Sequence, residues 1–93
     1  MEIRQTESGK EGRFTLYENE EPAGFIKYEW NSNGNLNATG TFVDEKYRGQ
    51  HLGENLFEQL INFARQNDVK IFPICPFVVK EFEKHPELGD FLE

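Results

Sequence analysis

Residues 41–65 read "TFVDEKYRGQHLGENLFEQLINFAR" and join a β-type run to a helical one through a short polar loop. Within residues 51–67, apolar side chains recur at intervals of three and four positions, which predicts an amphipathic helix packed on a sheet. The apolar stripe consists of Leu52, Leu56, Leu60 and Ala64, with Phe57 and Ile61 beside it. The sequence therefore predicts a strand, a loop and a helix in direct succession.

Four β-type segments precede this helix, and turn residues separate them. The segments are "EIRQTE" (2–7), "RFTLYE" (13–18), "AGFIKYEW" (23–30) and "NLNATGTFV" (35–43). The second and third alternate polar and apolar residues on either side of the turn "NEEP", which predicts an antiparallel hairpin. "NSNG" predicts a further turn, and the first segment is expected at an edge of the sheet.

The fourth segment carries a glycine in its interior. Leu36, Ala38 and Phe42 stand at even spacing and are expected to share one face of the strand. Gly40 interrupts this series, and a glycine inside a strand indicates a bulge or a close approach of other backbone.

A strand and a second helix are predicted after the first helix. "VKIFPICP" (69–76) is β-type, but Pro73 cannot donate to a ladder, so this strand should lose pairing toward its end or lie at an edge. "PFVVKEFEKH" (76–85) predicts a helix with Pro76 at its first position. The predicted fold class is α/β (α+β): a compact, mixed, mainly antiparallel sheet with two helices, in the order ββββ-α-β-α, in one domain over residues 1–93.

Composition narrows the function classes. The 93 residues carry a net charge of -7, which disfavours nucleic acid and favours cationic partners such as amines. A single cysteine, Cys75, excludes an intramolecular disulfide framework and a multi-cysteine zinc site, and no metal site is predicted. No apolar run approaches the roughly 20 residues of a membrane helix, and the start lacks the order of a signal peptide. We therefore expect a cytoplasmic protein without a membrane partner.

The loop before the first helix has the features of an anion site. A helix that begins near His51 leaves backbone N–H groups unpaired at the positive end of its dipole. Arg48 adds a fork of donors, while Gly49 and Gly53 allow phosphates and the neighbouring strand to come close. The same spacing also fits an ordinary strand-to-helix turn with a solvated arginine, so the residues alone leave both interpretations open.

Two segments resemble a known superfamily. The opening segment is similar to the acyl-coenzyme A binding segment of the GNAT N-acetyltransferases, whose signature is Arg/Gln-x-x-Gly-x-Gly/Ala at the start of a helix. "KIFPICPFVVKEFEKHPELGDFL" (70–92) resembles the end of very small, single-domain GNAT-like proteins, in which a strand closes with Cys-Pro-Phe and His-Pro-Glu follows. The resemblance implies an acetyl-CoA-dependent N-acetyltransferase that moves an acetyl group to an amine.

The resemblance also implies roles for particular residues. The backbone of Phe42 and Val43 would bind the pantetheine arm as an added strand would. The strands on either side of the motif helix would splay apart to make a slot for the thioester. The pyrophosphate of coenzyme A would be cradled, mainly by backbone N–H groups, at Arg48, Gly49, Gln50, His51, Leu52 and Gly53.

Three departures from the superfamily pattern bear on function. His51 stands where the signature has its first glycine, although its ring can itself donate to a phosphate. Only residues 9–12 connect the first two strands, where typical members have helices that build the acceptor site, so the acceptor pocket should be shallow and open. Many members have a tyrosine in the last helix that acts as general acid, and the last helix of this sequence has none. These departures favour the alternative of a non-catalytic acyl-CoA sensor, or a module whose partner chain completes the open acceptor site.

Cys75 is the candidate catalytic residue. It directly precedes Pro76, at the expected N-cap of the second helix, where the helix N-terminus stabilises a thiolate. Two roles follow: proton donor to the departing coenzyme A thiolate, or nucleophile that accepts the acyl group. The alternative is a buried structural thiol. For His85, which precedes a proline at a helix end, the structural interpretation is favoured.

Overall fold

The computed structural model describes residues 1–93, and its five strands lie in one sheet in sequence order. The first four strands pair antiparallel, and the fifth pairs parallel with the fourth. The strands are β1 (Glu2–Ser8), β2 (Glu11–Glu18), β3 (Glu21–Trp30), β4 (Leu36–Val43) and β5 (Ile71–Pro73). The helices are α1 (Leu52–Asn67) and α2 (Pro76–Lys84), with short 3-10 turns at Glu45–Tyr47 and Pro86–Phe91. The predicted class and element order are confirmed.

Both helices cover the same face of the sheet. Helix α1 packs on β2, β3 and β4, while α2 packs on β4 and β5 and also contacts α1. The whole predicted stripe of α1 is buried against the sheet, which confirms the periodicity argument. No helix is long and apolar enough to cross a membrane.

Strand β4 contains the bulge that Gly40 indicated. Lys27 of β3 pairs with Gly40, whereas the next residue, Tyr28, pairs with Ala38. Thr39 is therefore an extra residue that has no partner on β3. An extra residue of this kind reverses the alternation of side chains beyond it.

The bulge overturns one sequence expectation. Leu36 and Ala38 are fully buried under the helices, but Phe42 is 46% exposed and stacks on the Phe25 ring on the other face of the sheet. Val43, not Phe42, packs against the core. The expectation that Phe42 shares a face with Leu36 and Ala38 was wrong, because simple alternation did not allow for the extra residue at the bulge.

Pairing between β4 and β5 is short. The parallel ladder ends where Ala38 meets Pro73, and the backbone N–H groups of Ile74 and Cys75 then both donate to the Ala38 carbonyl, at 3.1 and 3.0 Å. Strand β4 continues to Val43 without a partner on this side. The predicted loss of pairing at Pro73 is confirmed, and it leaves a gap beside the second half of β4.

A tyrosine ties the first three strands together. The Tyr28 ring lies directly over Gly12, and its hydroxyl donates to Glu7 Oε2 at 2.6 Å and accepts from Gln5 Nε2 at 2.7 Å. Burial and the hydrogen bond to the Glu7 carboxylate raise the pKa of Tyr28 to about 12. The side chain therefore stays neutral and donates its proton to Glu7 over the whole physiological range.

Gly12→Ala should destabilise the protein, because an added Cβ would lie 2.3 Å from Cζ and Oη of Tyr28. Displacing this ring breaks its hydrogen bonds to β1, so we expect the free energy of unfolding to fall by about 1–3 kcal/mol. Denaturant unfolding measures the change. Gly89→Ala is the control, since a Cβ there meets nothing within 4 Å. Equal stability of the two variants would contradict the proposed contact.

Candidate functional site

The free edge of β4 presents specific backbone groups to the gap. The Asp44 N–H donates to the Ala23 carbonyl of β3 at 2.8 Å. Because backbone groups alternate along an antiparallel ladder, those of Phe42 also face β3, whereas those of Thr41 and Val43 face the gap. The Val43 carbonyl accepts from Arg48 Nε at 3.2 Å on this side. Thr41 is thus a gap residue that sequence analysis missed, since the bulge determines its direction.

The loop after β4 is built by two left-handed backbone positions. Gly49 has φ of +86° with open space around it, a conformation that favours glycine. His51 has φ of 60° and precedes α1 without capping it through its side chain. The first N–H groups of α1 consequently lack both helical partners and a side-chain cap.

One cavity of about 240 Å³ joins this loop to the edge of β4. Of the residues predicted to bind phosphate, it brings together Arg48, Gly49, His51, Leu52 and Gly53, and adds Val43. Gln50 does not line it. Three further residues line it that were not singled out from sequence: Tyr47 before the loop, Glu54 of α1 and Phe77 of α2. Only the packing of these elements brings the three together.

Charges of both signs border the cavity. Arg48 bonds Val43 through Nε, and its terminal NH₂ groups make no protein hydrogen bond. Glu54 contributes a carboxylate, but its Oε2 lies 2.7 Å from His51 Nδ1, so the His51 side chain leans along the first turn of α1. Tyr47 donates to Glu21 Oε1 at 3.2 Å, and loss of hydration together with this contact raises its pKa.

Gly53 permits the contact between the two helices. A Cβ at this position would lie 2.8 Å from Cζ of Phe77, so any other residue here would displace the ring. The neighbour that comes close to Gly53 is therefore a side chain of α2 and not the adjacent strand expected from sequence. The glycine also keeps the cavity wall close to the helix backbone.

Cys75 lies at the closed end of the gap. It is the N-cap residue of α2, as predicted, but its side chain makes no capping hydrogen bond. The thiol is buried, with the residue 7% exposed, and donates to Thr41 Oγ1 at 3.5 Å. The structure thus places the lone thiol beside the free edge of β4.

The far end of α2 carries His85 and a buried carboxylate. His85 is the C-cap residue, in agreement with its structural interpretation. Glu81 is 1% exposed; its Oε2 accepts from Lys84 at 3.3 Å, and its Oε1 lies 3.9 Å from His85 Nε2. These groups belong to the opposite end of the helix from Cys75. No group of three or more His, Cys, Asp or Glu side chains is placed to hold a metal ion.

Solved structures with the same fold are acetyltransferases or candidates for that activity. A GCN5-like N-acetyltransferase candidate from Staphylococcus aureus superposes with a TM-score of 0.77 at 27% identity, over 99% of this chain and 87% of its own. A ribosomal-protein-alanine N-acetyltransferase from Brucella melitensis gives 0.71 at 15% identity, over 84% of this chain and 62% of its own. A candidate streptothricin acetyltransferase from Bacillus anthracis, solved with acetyl coenzyme A, gives 0.62 at 22% identity, over 71% and 39%.

Sequence comparison gives the family directly. The sequence matches no curated protein. The family model of the GCN5-related N-acetyltransferases matches residues 13–91, which include the first segment that carried the resemblance and all but the last residue of the second. The match also spans the gap, the loop and Cys75. The chain therefore belongs to the GCN5-related N-acetyltransferase family.

Proposed function

We propose that the chain binds acetyl-coenzyme A at the gap between β4 and β5 and transfers the acetyl group to an amine. The observation that carries this proposal is the shared cavity, in which the Val43 edge of β4 meets the uncapped start of α1. A strand edge and a helix N-terminus offer two rows of unpaired N–H donors. Those two rows suit a ligand that has an amide-bearing arm and a phosphate group.

The loop suits the phosphate end of the ligand. A helix N-terminus attracts anions, and the free NH₂ groups of Arg48 add a fixed positive charge. Gly49 leaves space for close approach, and the His51 side chain, 86% exposed and held by Glu54, leaves the backbone N–H groups accessible. In this proposal the pyrophosphate is bound by Arg48, Gly49, His51, Leu52 and Gly53, while Gln50, predicted with them, lies outside the cavity.

The free edge of β4 suits the pantetheine arm. Its amides would pair with the gap-facing backbone groups of Thr41 and Val43, as a neighbouring strand would. Phe42, proposed with Val43 from sequence, belongs to the same edge, but its backbone groups face β3. The arm would run from the open end at Val43 toward the closed end at Ala38, where Cys75 lies.

Acetyl-coenzyme A supplies its acetyl group as a thioester, and Cys75 is the titratable side chain at the closed end of the gap. In one route the amine nitrogen bonds to the acetyl carbon, the carbon–sulfur bond breaks, and the Cys75 thiol gives its proton to the departing sulfur; the proton lost by the nitrogen then returns to Cys75. In the other, the Cys75 sulfur bonds to the acetyl carbon and coenzyme A leaves with the proton of the thiol. The amine nitrogen then takes the acetyl group, the bond to Cys75 breaks, and the proton of the amine returns to the Cys75 sulfur.

A non-catalytic acyl-CoA sensor is the second candidate function. Its support is the plain turn of Gly9 and Lys10 between β1 and β2, which leaves the acceptor side without helices. In α2, Phe77 and Phe82 are the aromatic residues, so no tyrosine acid is present. A partner chain would then complete the acceptor site.

Cys75→Ala should separate the catalyst from the sensor. We expect the variant to keep acetyl-CoA binding, because the thiol lies at the end of the gap and not in the phosphate loop, and to lose transfer by about 100-fold or more. Native mass spectrometry measures the complex, and release of free coenzyme A thiol with a panel of primary amines measures transfer. Acetyl retained on the wild-type chain after denaturation, but not on the variant, would select the acyl-cysteine route. Unchanged transfer would show that Cys75 is structural.

Arg48→Ala should weaken coenzyme A binding, because it removes the fixed cation of the loop. A charge-assisted hydrogen bond of about 1.5–3 kcal/mol corresponds to a loss of about tenfold or more. Isothermal titration calorimetry measures the dissociation constant. Lys80→Ala is the matched control, since Lys80 is an exposed cation of α2 outside the cavity. Equal affinities of the two variants for coenzyme A would show that Arg48 does not contribute to binding, which would contradict the proposed phosphate site.

A further inference from the structure

A second, larger groove lies on the face of the sheet that the helices leave open. Its volume is about 400 Å³, and Arg13, Lys27 and Glu29 line it together with Glu11 and Thr39. Phe14 and Tyr28 are buried under α1, so their neighbours along β2 and β3 point to the opposite face. Nothing in the phosphate loop or the pantetheine edge uses this groove.

The register of β2 and β3 places like charges directly opposite each other. Glu11 of β2 pairs with Glu29 of β3. Two residues away on each strand, Arg13 of β2 pairs with Lys27 of β3. Like charges in this position destabilise a sheet. None of the four side chains forms a salt bridge, whereas Arg4, Lys46 and Lys84 elsewhere do.

The two pairs give the groove two ends of opposite sign. Two residues along a strand correspond to about 7 Å, which separates the carboxylate pair from the cationic pair. The Arg13 guanidinium stacks on the Phe25 ring at 4.4 Å, which holds it in place. A ligand that carries both an ammonium group and an anionic group would relieve the repulsion within both pairs at once.

The groove reaches the gap through β4. Lys27 pairs with Gly40, and the bulged Thr39 lines the groove one residue beyond Ala38, where pairing with β5 ends. A molecule in the groove therefore lies across β4 from the closed end of the gap. The two turn residues between β1 and β2 leave this side uncovered.

We propose that this groove is the acceptor site and that the acceptor is a zwitterionic amine, with an ammonium group at Glu11 and Glu29 and a carboxylate at Arg13 and Lys27. This inference rests on the proposed acetyl transfer for its functional meaning, but the binding itself does not. In the transfer, the ammonium group first gives a proton to solvent. The neutral nitrogen then bonds to the acetyl carbon, the thioester carbon–sulfur bond breaks, and the departing sulfur takes the proton of the Cys75 thiol, which recovers one from the acylated nitrogen.

The test uses the full chain without acetyl-CoA and amide NMR shifts of Gly12 and Tyr28 as readout. The probes are 5-aminopentanoate, which matches the spacing of the two pairs, and its singly charged analogues pentylamine and pentanoate. We expect 5-aminopentanoate to bind about fivefold tighter than either analogue, as one additional exposed ion pair allows. Equal affinity for all three, or shifts outside the groove, would overturn the proposal. A further probe, 5-aminopentylphosphate, carries a phosphate where 5-aminopentanoate carries its carboxylate. Tighter binding of 5-aminopentylphosphate than of 5-aminopentanoate would overturn the assignment of a carboxylate to the cationic pair.

Charge reversal sharpens the test. Lys27→Glu should abolish the preference for 5-aminopentanoate over pentylamine, because the new carboxylate neutralises Arg13 opposite it, while Lys80→Glu on α2 should leave the preference unchanged. Lys27→Gln, a milder change that leaves Arg13 in place, should weaken the preference for the carboxylate and serves as the test if the Lys27→Glu variant does not fold. An unchanged preference in folded Lys27 variants would contradict the assignment.

Acetylation of 5-aminopentanoate distinguishes the two proposals. If 5-aminopentanoate binds in the groove but is not acetylated, in a chain that binds acetyl-CoA, the groove is confirmed as a binding site and the proposed acetyl transfer is contradicted. If pentylamine is acetylated as fast as 5-aminopentanoate, and the amide shifts of Gly12 and Tyr28 do not change, the acetyl transfer is supported and the groove is not the acceptor site.

Discussion

The end of the parallel ladder at Ala38 and Pro73 is the constraint on which the site depends. A proline carries no N–H, and the next two N–H groups of the chain both turn to a single carbonyl, that of Ala38. Strand β5 therefore leaves the sheet and leads directly into α2. The second half of β4 keeps an unpaired edge, which a sheet normally covers. The gap, its closed end and the position of Cys75 all follow from this one interruption.

The bulge at Thr39 orients what the gap exposes. It rotates the strand so that the backbone groups of Thr41 and Val43 face the gap, while the Phe42 side chain turns to the open face of the sheet. The loop that follows returns Arg48 to the Val43 carbonyl and starts α1 beside it. Strand edge and helix N-terminus thus become one surface. In the proposed complex, β4 would pair with amides of the ligand, whereas α1 would attract its phosphates through a helix dipole and a cation.

Local patterns in the sequence predicted most of the fold. The apolar stripe of α1, the interrupting Pro73 and the N-cap position of Cys75 are each set by neighbours in the chain, so they could be inferred without coordinates. The direction of Phe42 could not, because one extra residue in β4 reverses the alternation. The contact between Gly53 and Phe77 depends on helix packing. The like-charge pairs between β2 and β3 depend on strand register, and no local pattern specifies either. The family resemblance predicted the phosphate loop at residues 48–53 but did not include Tyr47, Glu54 and Phe77, which line the same cavity.

The central claim, that acetyl-CoA binds as an added strand along β4, is tested most directly by amide hydrogen exchange with and without the ligand. On binding, the Thr41 and Val43 amides should exchange more slowly because they gain partners in the gap, while the Phe42 amide, already bonded to β3, should change little. Slower exchange confined to other strands, or none at Thr41 and Val43 in a chain saturated with ligand, would contradict the account.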